Sequence, residues 1–180
     1  MVLTYYDCRN KYGSAYQIKL QIKNGKLYKI EKGIYSDQKF NSENEIIMVK
    51  YPNAIYTMDS AFYYYNLTDT IPDHHYLATP RGTRKITDSR VKQIFENSSG
   101  FELGKTVMKR GNTEINIYSR ERMLVELIRH KNSLPFDYYK EIIGNYRKIL
   151  MELDIQEIQE VAYNLPKKDM VMQTLQLEVF

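Results

Sequence analysis

The stretch that decides the fold is Asn24-Gly25-Lys26-Leu27-Tyr28-Lys29-Ile30-Glu31-Lys32-Gly33-Ile34-Tyr35. Residues 27–30 and 33–35 are rich in β-branched and aromatic side chains, and Glu31-Lys32 joins them as a tight hairpin. Gly25 stands where a preceding helix needs a left-handed C′ residue. Working back from it, Ser14 reads as an N-cap, and Gln17 three residues on completes a capping-box pattern. Ala15, Ile18 and Ile22 fall on one side of that helix, leaving Tyr16, Gln17, Lys19, Leu20 and Lys23 on its other faces. Residues 4–12 form a shorter helix that Gly13 breaks. Helix, turn, helix and two-stranded wing therefore occupy residues 1–36, a short winged helix-turn-helix.

Charge is concentrated in the same segment. Arg9, Lys11, Lys19, Lys23, Lys26, Lys29 and Lys32 face only Asp7 and Glu31 within residues 1–35, a balance of +5. The whole chain carries +4, so the remainder sums to −1 and the excess is local. A basic helix-turn-helix beside a neutral body is the layout of a DNA-binding regulator. The cations matter because each neutralised phosphate releases condensed counterions. On the helix, Gln17 is the first choice for reading a base edge, since a planar amide pairs bidentately with adenine. Tyr16 and Lys19 are second choices. Ser14, Lys23, Lys29 and Lys32 complete the set expected to touch DNA. The plain alternative is a solvated basic face on a structural hairpin.

Residues 36–41 are polar and read as a linker to a second domain over 42–180. That domain opens with a helix at Glu43–Lys50, where Ser42 and Glu45 repeat the capping-box spacing and Pro52 stops it. A short helix over 59–65 carries the Phe62-Tyr63-Tyr64-Tyr65 run. Strands are expected over 76–79, part of 91–95, 101–108 and 114–118, the last two joined through Arg110-Gly111-Asn112. The C-terminal third reads as helical, with stripes at Met123, Leu124, Leu127, Ile128 and at Tyr139, Ile142, Ile143, Tyr146, Ile149, Leu150. Further helices fall at Ile155–Asn164 and 169–178, with Pro166 between them. The fold class is α+β: the winged module plus a mixed α/β domain with a helical C-terminal third.

Other constellations read as structural. A single cysteine, Cys8, excludes an internal disulfide framework and a multi-cysteine zinc site, and it has no cue for activation. His74 and His75 are adjacent, so in a strand they point to opposite faces rather than chelating together. Asp88, Glu96, Glu102 and Glu114 lie among the middle strands without the spacing of a magnesium nuclease. Thr79-Pro80-Arg81-Gly82-Thr83-Arg84-Lys85 is a second basic cluster, but it lacks the order of a nucleotide P-loop. Arg120, Arg122 and Arg129 read as a solvated helix face. Seventeen tyrosines with no tryptophan fit an aromatic-rich interior. No apolar run reaches the ~20 residues of a membrane span, and no signal-peptide pattern opens the chain, so a cytoplasmic setting is expected.

Taken together, the pattern resembles the AbiEi-type antitoxins of bacterial type IV toxin–antitoxin, or abortive infection, systems. The residues that carry the resemblance are the wing Gly25 to Tyr35, Tyr56-Thr57-Met58-Asp59-Ser60-Ala61 with the aromatic run, and Arg120-Glu121-Arg122-Met123-Leu124-Val125-Glu126-Leu127-Ile128. The resemblance implies a repressor that binds double-stranded operator DNA at its own operon through the N-terminal module. It also implies a C-terminal domain that counteracts a nucleotidyltransferase-like toxin, without a cofactor, and cooperative self-association on DNA by analogy. The family's winged modules normally carry a further helix before the two-helix turn. Here only residues 1–13 precede Ser14, so the module is trimmed and is expected to pack on the C-terminal domain. Two other readings compete: a protein-binding module that neutralises a toxin by direct contact, and a metal-dependent nuclease on the middle strands.

Overall fold

Side chains alternate along β1 (Val2–Thr4) and β3 (Ile34–Ser36), and this gives the N-terminal sheet two apolar faces. Leu3 and Tyr35 turn one way, into a cluster with Cys8, Ile18 and Leu27. Val2 and Ile34 turn the other way, onto Ile46, with Ile30 and Val49 against them. The first cluster is supplied by α1 (Tyr5–Tyr12) and α2 (Ala15–Lys23), the second by α3 (Glu43–Lys50). With β2 (Tyr28–Glu31) the sheet has the order β1-β3-β2, both pairings antiparallel. The computed structural model describes all 180 residues. They divide into two compact units, Met1–Ala54 with Met108–Ile115, and Ile55–Val107 with Asn116–Phe180.

Several sequence expectations change here. β1 is a strand where only the approach to a helix is expected; its pairing with β3 is long-range and leaves no local pattern. Thr4 then caps α1 in a full capping box: its hydroxyl accepts from the Asp7 N–H at 3.1 Å, and the Asp7 carboxylate accepts from the Thr4 N–H at 2.9 Å. The hairpin turn is Lys32-Gly33 rather than Glu31-Lys32, because Glu31 still pairs with Ile34 after a bulge at Ile30. Ser36 is no linker residue. It is fully buried, and its hydroxyl donates to Asn41 Oδ1 at 2.7 Å. The Ser42–Glu45 box does not form, since Glu45 Oε1 accepts from the Val2 N–H at 2.8 Å instead. That bond and the Val2–Ile34–Ile46 cluster tie α3 to β1, so the first unit runs to Ala54 rather than ending at residue 36.

The second unit holds β4 (Ile55–Tyr56), α4 (Met58–Tyr64), β5 (His75–Pro80), β6 (Val91–Glu96) and α5 (Ser98–Phe101). After α5 come β7 (Lys105–Arg110) and β8 (Thr113–Tyr118), whose hairpin tip falls in the first unit. The sheet order is β6-β5-β4-β8-β7, with β5/β6 and β4/β8 parallel and β4/β5 antiparallel. Residues 101–104 close α5 and turn at Gly104 instead of starting a strand. The C-terminal third is helical, as α6 (Arg120–Arg129), α7 (Phe136–Lys148), α8 (Ile155–Asn164) and α9 (Lys168–Glu178). Residues 121–128 of α6 are all buried, which makes it the central helix of the unit. Nine α-helices and two sheets give a mixed α/β fold.

The Thr4 cap carries a test. Thr4→Ala should lower the stability of the first unit by about 1 kcal/mol in urea denaturation. The Thr4 hydroxyl bond holds the Asp7 carboxyl below its ordinary value of 3.8. A depressed folded pKa means the contribution is present above that value and fades as pH falls through it. The gap between wild type and Thr4→Ala should therefore narrow toward pH 3.

Candidate nucleic-acid interface

Gly13, at φ +83°, ends α1 with its N–H on the Arg9 carbonyl at 2.8 Å. One residue later Ser14 Oγ accepts from the Gln17 N–H at 3.2 Å and starts α2. Only this half of the capping box forms, so the Gln17 carboxamide has no partner within the chain. Ile18, 3% exposed, and Ile22 face the module's core with Leu3, Cys8, Leu27 and Tyr35. Burying those two turns Tyr16, Gln17, Lys19 and Lys23 to solvent, with Tyr16 71% exposed. The helix closes in a Schellman motif: Gly25, at φ +69°, donates to Ile22 O, and Lys26 N–H donates to Gln21 O at 3.0 Å.

The hairpin is pinned to the helices at its tip. Gly33, at φ +81°, makes the turn, and its carbonyl accepts from the Tyr5 N–H at 2.8 Å. Lys29 and Lys32 are both exposed on this hairpin. Of the residues expected to touch DNA, Tyr16, Gln17, Lys19, Lys23, Lys29 and Lys32 are therefore free on the surface, and Ser14 serves as the cap.

Electrostatics sharpen the picture. Arg9, Lys11, Lys19, Lys23, Lys26, Lys29 and Lys32 are all exposed and none joins an ion pair. Both acids of the segment are occupied: Asp7 in the Thr4 box, Glu31 with Lys50 Nζ at 3.3 Å. The segment's positive charge thus reaches solvent unneutralised. Arg9, Lys11 and Lys26 are exposed in the same way as Lys19, Lys23, Lys29 and Lys32. The capture of Glu31 by Lys50 spans 19 residues and has no local signature.

The remaining motifs resolve as structure. Cys8 is wholly buried, and burial pushes its thiol up. His74 sits against Asp73 at 3.0 Å, His75 Nδ1 against Tyr56 Oη at 3.1 Å, and His130 against Glu126 at 3.4 Å. Asp88 pairs with Arg90 at 2.8 Å and Glu102 with Lys105 at 3.0 Å. The expected solvated arginine face is overturned: Arg122 is fully buried, Arg129 is bound to Glu126, and Arg120 is bound to Glu152 at 2.9 Å. No helix is long and apolar enough to cross a membrane.

No family model and no curated protein matches the chain. Among solved structures it is similar to the crystal structure of the RV2827C protein from Mycobacterium tuberculosis. The TM-score is 0.64 at 13% identity, over 98% of this chain and 71% of that one. At this identity the likeness is one of fold, and it agrees with the mixed α/β architecture with a helical C-terminal end.

Proposed function

We propose that the chain is a transcriptional autorepressor and antitoxin of a type IV toxin–antitoxin operon, with no catalysis of its own and no cofactor. The first unit is read as a winged helix-turn-helix that sets α2 in the major groove of operator DNA, with β2–β3 as the wing. The observation that carries this reading is the set of seven exposed cations within residues 1–35, none of them in an ion pair, beside a helix α2 whose Tyr16, Gln17, Lys19 and Lys23 face solvent. The strand–helix–helix–hairpin order, with β1 beside β3, supports it further. α3 supplies an apolar brace for the sheet from its C-terminal side, through Ile46 and Val49 against Val2 and Ile34. The antitoxin half rests on the resemblance of 56–61 and 120–128, with a nucleotidyltransferase-like toxin as the target.

The test is a gel-shift titration on the DNA upstream of the protein's own gene. Specific retardation should be lost in Gln17→Ala/Lys19→Ala, at a cost of about 1–3 kcal/mol for the base-reading amide alone. Retardation that is equal on unrelated duplexes, and indifferent to Gln17, would remove the operator reading. The competing reading, neutralisation by direct protein contact, is favoured by an apolar groove of about 440 Å³ in the second unit. It is lined by Leu150, Met151, Leu153, Ile155, Gln159 and Phe180, with Met151 98% exposed. A toxin that co-purifies stably with a chain that shifts no DNA would decide for it.

A further inference from the structure

β5 and β6 lie side by side and parallel, in register from His75↔Val91 to Pro80↔Glu96. A parallel neighbour forces the connection back along the whole strand, about 20 Å for a six-residue strand. Here residues 81–90 make that return without a helix.

The segment is nevertheless ordered. Gln93 of β6 holds it with both ends of its amide: Nε2 donates to Thr79 Oγ1 at 2.7 Å and to Arg84 O at 3.3 Å, and Oε1 accepts from the Ile86 N–H at 2.8 Å. Thr83 Oγ1 donates to Pro80 O at 2.8 Å beside the turn at Gly82, φ +86°. The only acid of the segment, Asp88, is taken by Arg90. Arg81, Arg84 and Lys85 remain exposed, and none has an ion-pair partner. Two guanidiniums and an ammonium on a braced strap suit phosphate as a ligand, because each guanidinium can grip two phosphate oxygens at once.

We propose that residues 81–85 of the second unit bind the phosphodiester backbone of duplex DNA, as a contact additional to α2 and the wing. The identity of the ligand rests on the DNA-binding reading above; the site does not.

The experiment is a fluorescence-anisotropy titration of the full chain on its upstream duplex, repeated over a salt series. Arg81→Gln/Arg84→Gln/Lys85→Gln should reduce the slope of log K against log[salt] by about 2–3 and the affinity at 0.1 M salt by about 100-fold. Gln93→Leu keeps all three cations but frees the strap, so affinity should fall less while the slope stays within about one of wild type. Lys29→Gln/Lys32→Gln serves as the parallel variant of the wing. If the wing variant loses affinity and the strap variant matches wild type in both slope and affinity, the strap is overturned and the DNA-binding reading stands. If the strap variant alone loses affinity, the strap stands and the wing assignment falls. A wild-type chain that binds no duplex overturns both. The substituted cations are exposed, so thermal melts of the triple variant should match wild type and separate loss of contact from loss of fold.

Discussion

Arg122→Met is expected to destabilise the second unit by about 3–5 kcal/mol, the largest stability effect of any single substitution in the chain. Arg122 is fully buried, and its guanidinium stands over the Tyr118 ring, 4.7 Å from the centroid. Nη1 donates to Gly100 O at 3.0 Å, while Nη2 lies 2.7 Å from Glu126 Oε1 and 3.6 Å from Glu96 Oε2. Gly104 shows how closely the backbone approaches: a Cβ there would stand 2.6 Å from Arg122 Cβ. Removing the cation leaves two carboxylates in an apolar surround, with the Arg129 guanidinium as the remaining fixed counter-charge and His130 3.4 Å from Glu126.

The pH dependence separates lost charge from lost packing. Burial alone raises Glu126, but the His130 hydrogen bond and the Arg122 and Arg129 guanidiniums overcome it and hold the carboxyl below the usual range. A depressed folded pKa stabilises above the unfolded value and is lost as pH falls. Glu96 goes the other way, raised by burial and by Glu126, so its ionised form opposes folding. Without Arg122 the Glu126 carboxyl should rise as well, and a raised acid favours folding only while protonated. The deficit of Arg122→Met should therefore be greatest near pH 7 and shrink as pH falls toward 4.5, read by urea denaturation across pH. Arg122→Met/Glu126→Leu should recover most of the loss at neutral pH. A deficit that is flat with pH and unmoved by the second substitution would assign the effect to packing alone.

The sequence was legible where the pattern is local and opaque where the partner is distant. Ser14, Gly25 and the Ile18/Ile22 face define α2 within a dozen residues, and the structure keeps all three roles. Ile155–Asn164 is found with its bounds unchanged, since Asp154 caps it and its apolar stripe is regular. β1 and β4 are too short to show a period, and each exists only because β3 or β5 and β8 lie beside it. Arg122 misled for a related reason. Its neighbours Arg120 and Arg129 suggest a charged face, whereas its depth is set by Glu96, Gly100 and Glu126. At the candidate interface, residue types and charge could be read directly. That the cations are unpaired could not, because it depends on Lys50 reaching back to Glu31.

Reversing that exposed charge is expected to have the largest effect on function. Lys19→Glu/Lys23→Glu/Lys29→Glu/Lys32→Glu should lower operator affinity by more than about a thousandfold at 0.1 M salt, since four lost phosphate contacts alone remove ~3.6 decades of counterion release. All four side chains are exposed and unpaired, so no internal bond is broken and the fold should persist. The pairs then divide the interface. Lys19→Glu/Lys23→Glu acts on α2, beside Gln17, and should weaken operator binding together with the preference for operator over unrelated duplex. Lys29→Glu/Lys32→Glu acts on the hairpin, where contacts are expected on phosphates alone. It should weaken operator and unrelated duplexes by the same factor and reduce the salt slope by about 2. A hairpin pair that left binding unchanged would sink the wing assignment, and a quadruple variant that still bound its operator would remove the first unit from DNA recognition altogether.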